Sequence, residues 1–323
     1  MSESTKFYGI DISKDIFDVT DQKGVHYQFE NDYKGFKKFN KLLDKNSHCV
    51  MEATGYYHYK LAYFLQESEV LVSVENPLSV KRFIQMKLSK IKTDKSDSKM
   101  ICKYAESVDL RLWEGESKDQ QECLQMTRIL SVYTKQSTML KNKIHGEVVL
   151  GEPSKVVLKS LKRSLKTIEK EVKMIEEKLL EIVKKDNQEL LTLIETIPGI
   201  GRKTGIMLIV LTDGFTRFSS ASELCSYAGL TPVIRQSGSS VNGRPRISKM
   251  GNQKLRNLLF LCSFNACKYN AACKALFDRI VAKGKSKKLA LIAVCNKLLK
   301  QAFAIAKNRI PYNQSYRSTL SVN

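Results

Sequence analysis

The strongest constraint on the fold is a long middle segment that contains no Gly or Pro. Within it, apolar residues recur at steps of three and four, which places them on one side of a helix and predicts a coiled-coil-like seam. The seam consists of Leu161, Leu165, Ile168, Val172, Ile175, Leu179 and Ile182. A second such stretch runs from Lys118 to His145, and "GEP" at 151–153 predicts the break between two helices. The seam fits either an antiparallel hairpin within one chain or a contact between two chains.

The chain before this segment predicts an α/β domain. "KFYGIDIS", "IFDVTDQ" and "VHYQFEN" are short strands with short links, which is typical of an antiparallel meander. A helix, the strand "HCVMEAT", a helix, the strand "VLVSVENP" and a further helix follow. This order predicts a mixed sheet with helices packed on it.

Charge limits the kinds of partner. The 323 residues carry a formal net charge of +21, which favours a polyanion. An anionic membrane surface is the weaker choice, because no apolar run approaches about 20 residues and the N-terminus lacks a signal-peptide layout. The eight cysteines form no CxxC pair and the four histidines no metal-spaced cluster, so we expect neither a disulfide framework nor structural zinc, and a reducing cytoplasm fits.

Four carboxylates stand at positions that suggest a metal site. Asp11 lies on the first strand between apolar neighbours, and Glu52 lies near the end of the fourth. Asp94 and Asp97 are three residues apart, so a helix places them on one face. Oxygen ligands of this kind suit Mg²⁺, and two such ions can clamp the oxygens of a phosphodiester in strand cleavage. Taken singly, each of these acids is more often a cap, a turn residue or part of a solvated helix face.

Two further segments predict contacts with nucleic acid. "IETIPGIGRKTG" has the pattern of a helix-hairpin-helix, in which Gly199 and Gly201 let the backbone approach a phosphate and Arg202 and Lys203 add charge. The alternative is a simple helix corner. "IRQSGSSVNGRPRISKMGNQKLR" holds four serines, three of them within four residues, and six Arg or Lys, with no Asp, Glu or His. It is either a solvated loop or the site of a serine nucleophile.

Seven motifs together resemble one family. They are "YGIDISKDIFDV", "MEATGYYH", "TDKSD", "IPGIGRKTG", "YAGLTP", "SGSSVNG" and "RISKMGNQKLR", in order and at the family's spacing from about residue 6 to about 310. The chain resembles the DEDD transposases of insertion sequences, which include pilin-gene invertases. Some members are known as bridge-RNA-guided recombinases.

The resemblance implies a fold and a chemistry. It implies an RNase H-like (RuvC-like) mixed-sheet domain at 1–115, a helical coiled-coil-like linker at 116–187, and a mainly α C-terminal transposase domain at 188–323 with the helix-hairpin-helix. Asp11, Glu52, Asp94 and Asp97 match the family's metal-binding acids, with Mg²⁺ as cofactor, and Ser237 matches its catalytic serine. The implied reaction is attack of Ser237 on DNA to form a phosphoserine. Arg235, Arg244, Arg246, Lys249 and Arg256 are expected to bind phosphates.

The expected partners are donor and target DNA, a structured noncoding RNA, and further copies of the chain in a homodimer or homotetramer. The expected location is the bacterial cytoplasm, at the nucleoid. Three alternatives stay open: a resolvase-like metal nuclease in which Ser237 is structural, a DNA invertase without an RNA guide, and a catalytically dead nucleic-acid-binding protein. The intact acids and serine argue against the last.

Overall fold

The structure, a computed structural model, describes residues 5–53, 55–88, 93–233, 236–237, 241–242 and 246–315. By its internal contacts the chain divides into two compact units, Met1–Glu116 and Ser117–Asn323, called here the first and second units. The finer division at residues 115 and 187 stays a prediction.

The first unit contains a five-stranded mixed sheet. Its strands are β1 (Lys6–Ile12), β2 (Ile16–Asp21), β3 (His26–Glu30), β4 (Ser47–Glu52) and β5 (Leu71–Glu75), in the order β3-β2-β1-β4-β5. β1, β2 and β3 pair antiparallel, which confirms the predicted meander, whereas β1–β4 and β4–β5 pair parallel. The predicted α/β architecture with a mixed sheet is therefore confirmed.

Helices cover both faces of this sheet because its strands alternate apolar side chains between the faces. On one face Ile10, Phe17 and Met51 form a core with α1 (Tyr33–Asn40) and α2 (His58–Glu67). On the other, Val50 packs with α3 (Pro77–Met86) and α4 (Asp94–Ser107). The second face is less apolar, and it carries the acidic side chains described below.

The second unit begins with two long helices, α5 (Lys118–Val149) and α6 (Lys155–Glu195), which pack against each other. The break falls at the predicted "GEP", where Gly151 has a φ of +99°. The hairpin is thus formed within one chain. From Leu161 to Ile175 the seam residues are only half-buried, whereas Leu179 is fully buried. A kink at Asn187 (φ −130°, ψ 25°) separates the final turns of α6.

The remaining helices enclose the core of the second unit. They are α7 (Arg202–Thr212), α8 (Ala221–Tyr227), α9 (Gln253–Tyr269), α10 (Ala271–Ala282) and α11 (Lys287–Asn308). Short strands lie between α8 and α9: β6 (Pro232–Val233) pairs with β9 (Arg246–Ile247), and β7 (Gln236–Ser237) pairs with β8 (Val241–Asn242).

One helix in the described part of the chain, α11, is long and apolar enough to cross a membrane by composition, with a mean hydropathy of 1.5. Half of its most apolar stretch is buried, and it packs against α8, α9 and α10. These contacts are those of a helix that packs in the core of the second unit.

Candidate functional site

A row of acidic residues crosses four adjacent strands of the first unit. Asp11 in β1 lies directly opposite Asp18 in β2, and Glu52 in β4 lies directly opposite Glu75 in β5. The parallel register pairs Ile10 with Met51, which brings Asp11 and Glu52 side by side at the carboxyl ends of their strands. Side chains two residues apart in a strand share a face, so all four acids lie on the face covered by α4.

Gly9 allows α4 to pass close to β1 beside this row. A Cβ at residue 9 would overlap the backbone of Ser98 and Cys102, so α4 crosses β1 at a distance that only glycine permits. The Thr20 and Ser98 hydroxyls lie 2.7 Å apart and hold the same crossing from β2. Asp11 lies two residues beyond Gly9 in β1, on the same face of the sheet.

The start of α4 is fixed by a capping box. The Ser96 amide donates to the Thr93 hydroxyl at 3.1 Å, and the Thr93 amide donates to the Ser96 hydroxyl at 2.8 Å. Asp94 and Asp97 lie in this first turn, where the helix dipole favours negative charge. The two carboxylates therefore stabilise the start of α4 and also add negative charge near the acidic row.

Three of the predicted acids act electrostatically on the fourth, Asp11, as the pKa of Asp11 shows. Burial, followed in order by the negative charges of Asp97, Asp94 and Glu52, raises the pKa of the Asp11 carboxyl from 3.8 to about 6. The charge of Asp18 adds a smaller effect. Concentrated negative charge without a cation is costly, so the site favours a proton or a metal ion.

The donor set fits a hard divalent cation in its chemistry, because every predicted ligand is a carboxylate oxygen. Among the described residues, however, no three His, Cys, Asp or Glu side chains converge closely enough to hold an ion as they stand. Asp94 is exposed and Asp97 is half-buried.

Two members of the acidic row, Asp18 and Glu75, were not predicted from the sequence. Asp18 is buried, with 3% of its surface exposed, and its carboxylate accepts from the His26 Nε2 at 2.7 Å and the Gln28 amide at 3.2 Å. Glu75 accepts from the Tyr104 hydroxyl at 3.0 Å. The sequence did contain a signal for Asp18. The alternation in "IFDVTD" places Phe17 and Val19 on one face of the strand and Asp18 on the other, which is the face that carries Asp11.

The predicted helix-hairpin-helix turn packs closely against α9. Gly199 has a φ of +105°, and a Cβ there would lie 2.8 Å from the Ala266 Cβ. Gly201 faces open space and precedes α7 without a side-chain cap, so the first amides of α7 are available. The Arg202 guanidinium donates to Glu195 at 2.8 Å, and Lys203 pairs with Glu176. Both cations are therefore partly neutralised within the chain.

The serine-rich segment is described only in part. The backbone of Ser237 lies in β7, opposite Val241 in β8. Ser239, Ser240, Arg235 and Arg244 lie outside the described residues.

The other predicted phosphate-binding residues of this segment differ in their surroundings. Arg246 lies in β9 opposite Val233, and Lys249 is exposed with a φ of +56°. The Arg256 guanidinium donates to the Ala228 carbonyl at 2.9 Å, which gives this residue a role inside the fold.

Two family models match the chain. Residues 8–150 match a DEDD model of the IS110 type described as "Transposase", and residues 191–278 match a model described as "Transposase IS116/IS110/IS902 family". The first match contains all four predicted acids, and the second contains Ser237 and the helix-hairpin-helix segment. Together the two models cover more than two thirds of the chain.

Relatives with similar sequences cover most of the chain. The pilin gene-inverting protein of Moraxella lacunata is 29% identical over 96% of this chain and 98% of its own length, and that of Moraxella bovis is 28% identical over 96% and 98%. The transposase for insertion sequence element IS1111A of Coxiella burnetii is 23% identical over 79% of this chain and 76% of its own length. The chain therefore belongs to the IS110-type DEDD transposases, a family of enzymes that cleave and rejoin DNA.

Proposed function

We propose that this transposase cuts DNA with Ser237 as the nucleophile and with acids of the first unit that bind Mg²⁺. The Ser237 Oγ attacks a phosphodiester, the bond between phosphorus and the 3′ oxygen breaks, and the hydroxyl proton passes to a base while the 3′ oxygen leaves with a proton as a free hydroxyl. Reversal with another strand's 3′-hydroxyl rejoins the DNA and restores the serine. The energy of the broken bond is kept in the phosphoserine, so no nucleotide cofactor is consumed.

The observation that carries this proposal is the raised pKa of Asp11, to which burial and the charges of Asp97, Asp94 and Glu52 contribute, so that these three acids lie within electrostatic reach of Asp11. An RNase H-like (RuvC-like) identity for this unit is part of the proposal. A bound Mg²⁺ would supply charge stabilisation to the reacting phosphate. The acids would hold the ion, and an ionised Asp11 could accept the nucleophile's proton.

The composition of the serine segment supports a reaction in which the second unit supplies the nucleophile and the first unit supplies the metal-binding acids. A serine hydroxyl needs a neighbouring base or a metal field to attack. Residues 234–256 contain no Asp, Glu or His, so activation comes from another part of the assembly. The basic residues of this segment and the open α7 amides would hold the DNA backbone without reading its sequence.

Guidance by a structured noncoding RNA is the second part of the proposal. It is supported by the family resemblance and by a net charge of +21, which suits binding of two polyanions. Assembly as a dimer or tetramer, and action on DNA at the bacterial nucleoid, belong to the same proposal. Inversion of a host DNA segment without RNA is the second candidate, favoured by the likeness to two pilin gene-inverting proteins.

The deciding experiment traps the covalent intermediate. Protein incubated with labelled DNA carrying the element's ends and Mg²⁺ should give a protein–DNA adduct that survives denaturation. Ser237→Ala should abolish the adduct, whereas the matched controls Ser239→Ala and Ser240→Ala should retain it. Asp11→Asn should abolish it while leaving DNA binding intact. Cleavage by Ser237→Ala without an adduct would refute the serine chemistry and establish the resolvase-like nuclease instead.

A further inference from the structure

A groove of about 630 Å³ lies in the second unit, between α8, α10, α11 and the β6–β9 pair. Much of its lining is apolar, including Leu230, Pro232, Ile247, Leu289 and Ile292. Leu289 is 46% exposed even though it lies on a core helix, so its side chain is available to a ligand. Pockets of roughly 300–1,000 Å³ with apolar walls are typical of sites that enclose a small ligand or a single monomer of a polymer.

The charged residues that line this groove are all cationic. They are Arg246, Lys297 and Lys300, and no Asp or Glu lines the groove within the described part of the chain. None of the three cations has a carboxylate partner among the described ion pairs. Arg202 and Lys203 differ in this respect, because both are paired with glutamates. The groove thus has an apolar floor and an uncompensated positive rim.

The chain itself places the groove close to Ser237. Pro232 lines the groove and stands five residues before Ser237, so their Cα atoms lie at most about 18 Å apart. Arg246 lines it from the returning strand β9, which pairs with β6. The paired strands β6 and β9, which precede and follow the serine segment in the chain, therefore also line the groove.

We propose that this groove binds the unpaired DNA strand next to the phosphodiester that Ser237 attacks. Its cations match the phosphates of a strand, and its apolar floor matches the faces of unstacked bases, which a duplex keeps covered. The Asn296 amide in the same lining can donate to and accept from a base edge. The inference rests on the proposed function, since it takes a DNA strand as the substrate of Ser237.

The test measures binding of a short fluorescein-labelled oligo-dT to full-length Ser237→Ala protein, so that cleavage does not intervene. The double variant Lys297→Gln/Lys300→Gln should lower the slope of log affinity against log salt by about 1.4, or about 0.7 for each lost phosphate contact on a single strand. The matched control Lys287→Gln/Lys288→Gln removes the same charge from the exposed start of α11, outside the groove lining, and should change the slope much less.

A second pair of variants tests the apolar floor. Leu289→Ala should weaken oligo-dT binding roughly fivefold and leave duplex binding unchanged, since it removes apolar contact with bases. Leu261→Ala, on α9 and 66% exposed, is the control and should have no effect. Both leucines are surface residues, so neither change should disturb folding, which circular dichroism would verify.

The outcomes separate this inference from the proposed function. Equal losses of oligo-dT binding in groove and control variants, or equal losses of duplex and oligo-dT binding in the groove variants, would overturn the groove assignment even where the Ser237 adduct forms. Loss of strand binding only in the groove variants supports the assignment. If that pattern is found and no adduct forms with unmodified Ser237, the groove stands and the serine chemistry fails.

Discussion

The acidic row should make the first unit less stable at neutral pH than its contacts would otherwise allow. The pKa of Asp11 rises from 3.8 to about 6 because of burial and of the carboxylates around it. At pH values between about 4 and about 6, the Asp11 carboxyl is therefore protonated in the folded state and ionised in the unfolded state. The free energy of unfolding must therefore fall as pH rises from about 4 to about 6, and stay low above.

The size of this loss of stability follows from the pKa shift of Asp11. About two pKa units correspond to an upper limit of about 3 kcal/mol, at roughly 1.4 kcal/mol for each unit. Asp11 is half-buried rather than fully enclosed, so solvent screening reduces this to about 1–2 kcal/mol. Asp11→Asn should restore that amount at pH 7.5 and about nothing at pH 4.

The single tryptophan provides a local probe for the measurement. Trp113 packs in the first unit, with its ring centroid 4.8 Å from that of Tyr63, so its fluorescence follows unfolding of that unit. In EDTA at neutral pH, Asp11→Asn should raise the urea midpoint by about 1 M. The matched control Asp15→Asn, exposed in the turn between β1 and β2, should not change it.

Metal removal completes this test. Mg²⁺ should stabilise the unmodified protein, because the ion offsets the repulsion among the acids, and should stabilise Asp11→Asn much less. Lower stability of Asp11→Asn than of the unmodified protein in EDTA at neutral pH would refute the reasoning, since the carboxylate would then be net stabilising. Equal Mg²⁺ responses of the two proteins would remove Asp11 from the proposed metal site.

Four other predictions concern packing, assembly and the guide. Gly9→Ala should destabilise the first unit by about 3 kcal/mol or more in urea titrations followed by Trp113, because the new Cβ meets the backbone of α4. Gly199→Ala should lower the thermal midpoint of the second unit in calorimetry, since its φ is positive and α9 lies against it, whereas Gly201→Ala should not. Mixing inactive Asp11→Ala and Ser237→Ala proteins should restore part of the cleavage if partner chains share an active site, and silence in demonstrably mixed oligomers would contradict sharing. A structured RNA should bind more tightly than duplex DNA of equal length in salt-matched competition, and equal binding would argue against guidance.

Local patterns along the chain predicted much of this structure. The meander, the two long helices, the "GEP" break between them and the start of α7 follow from strand alternation, helical spacing and Gly or Pro at turns, all of which act over a few residues. The four acids could be named because their motifs resemble one family. Local pattern could not decide whether the Leu161–Ile182 seam packs within one chain or between two chains. In the structure α6, which carries the seam, packs against α5 of the same chain.

Tertiary structure alone decided which distant residues share a surface. The parallel pairing of β1 with β4 sets Asp11 beside Glu52, and Gly9 lets α4 pass close to β1 on the same face of the sheet. The same register adds Asp18 and Glu75 to the row. The cationic groove likewise combines residues from α11 with residues from β6 and β9. Such neighbours depend on contacts between segments far apart in the chain, whose energies no short stretch of sequence contains.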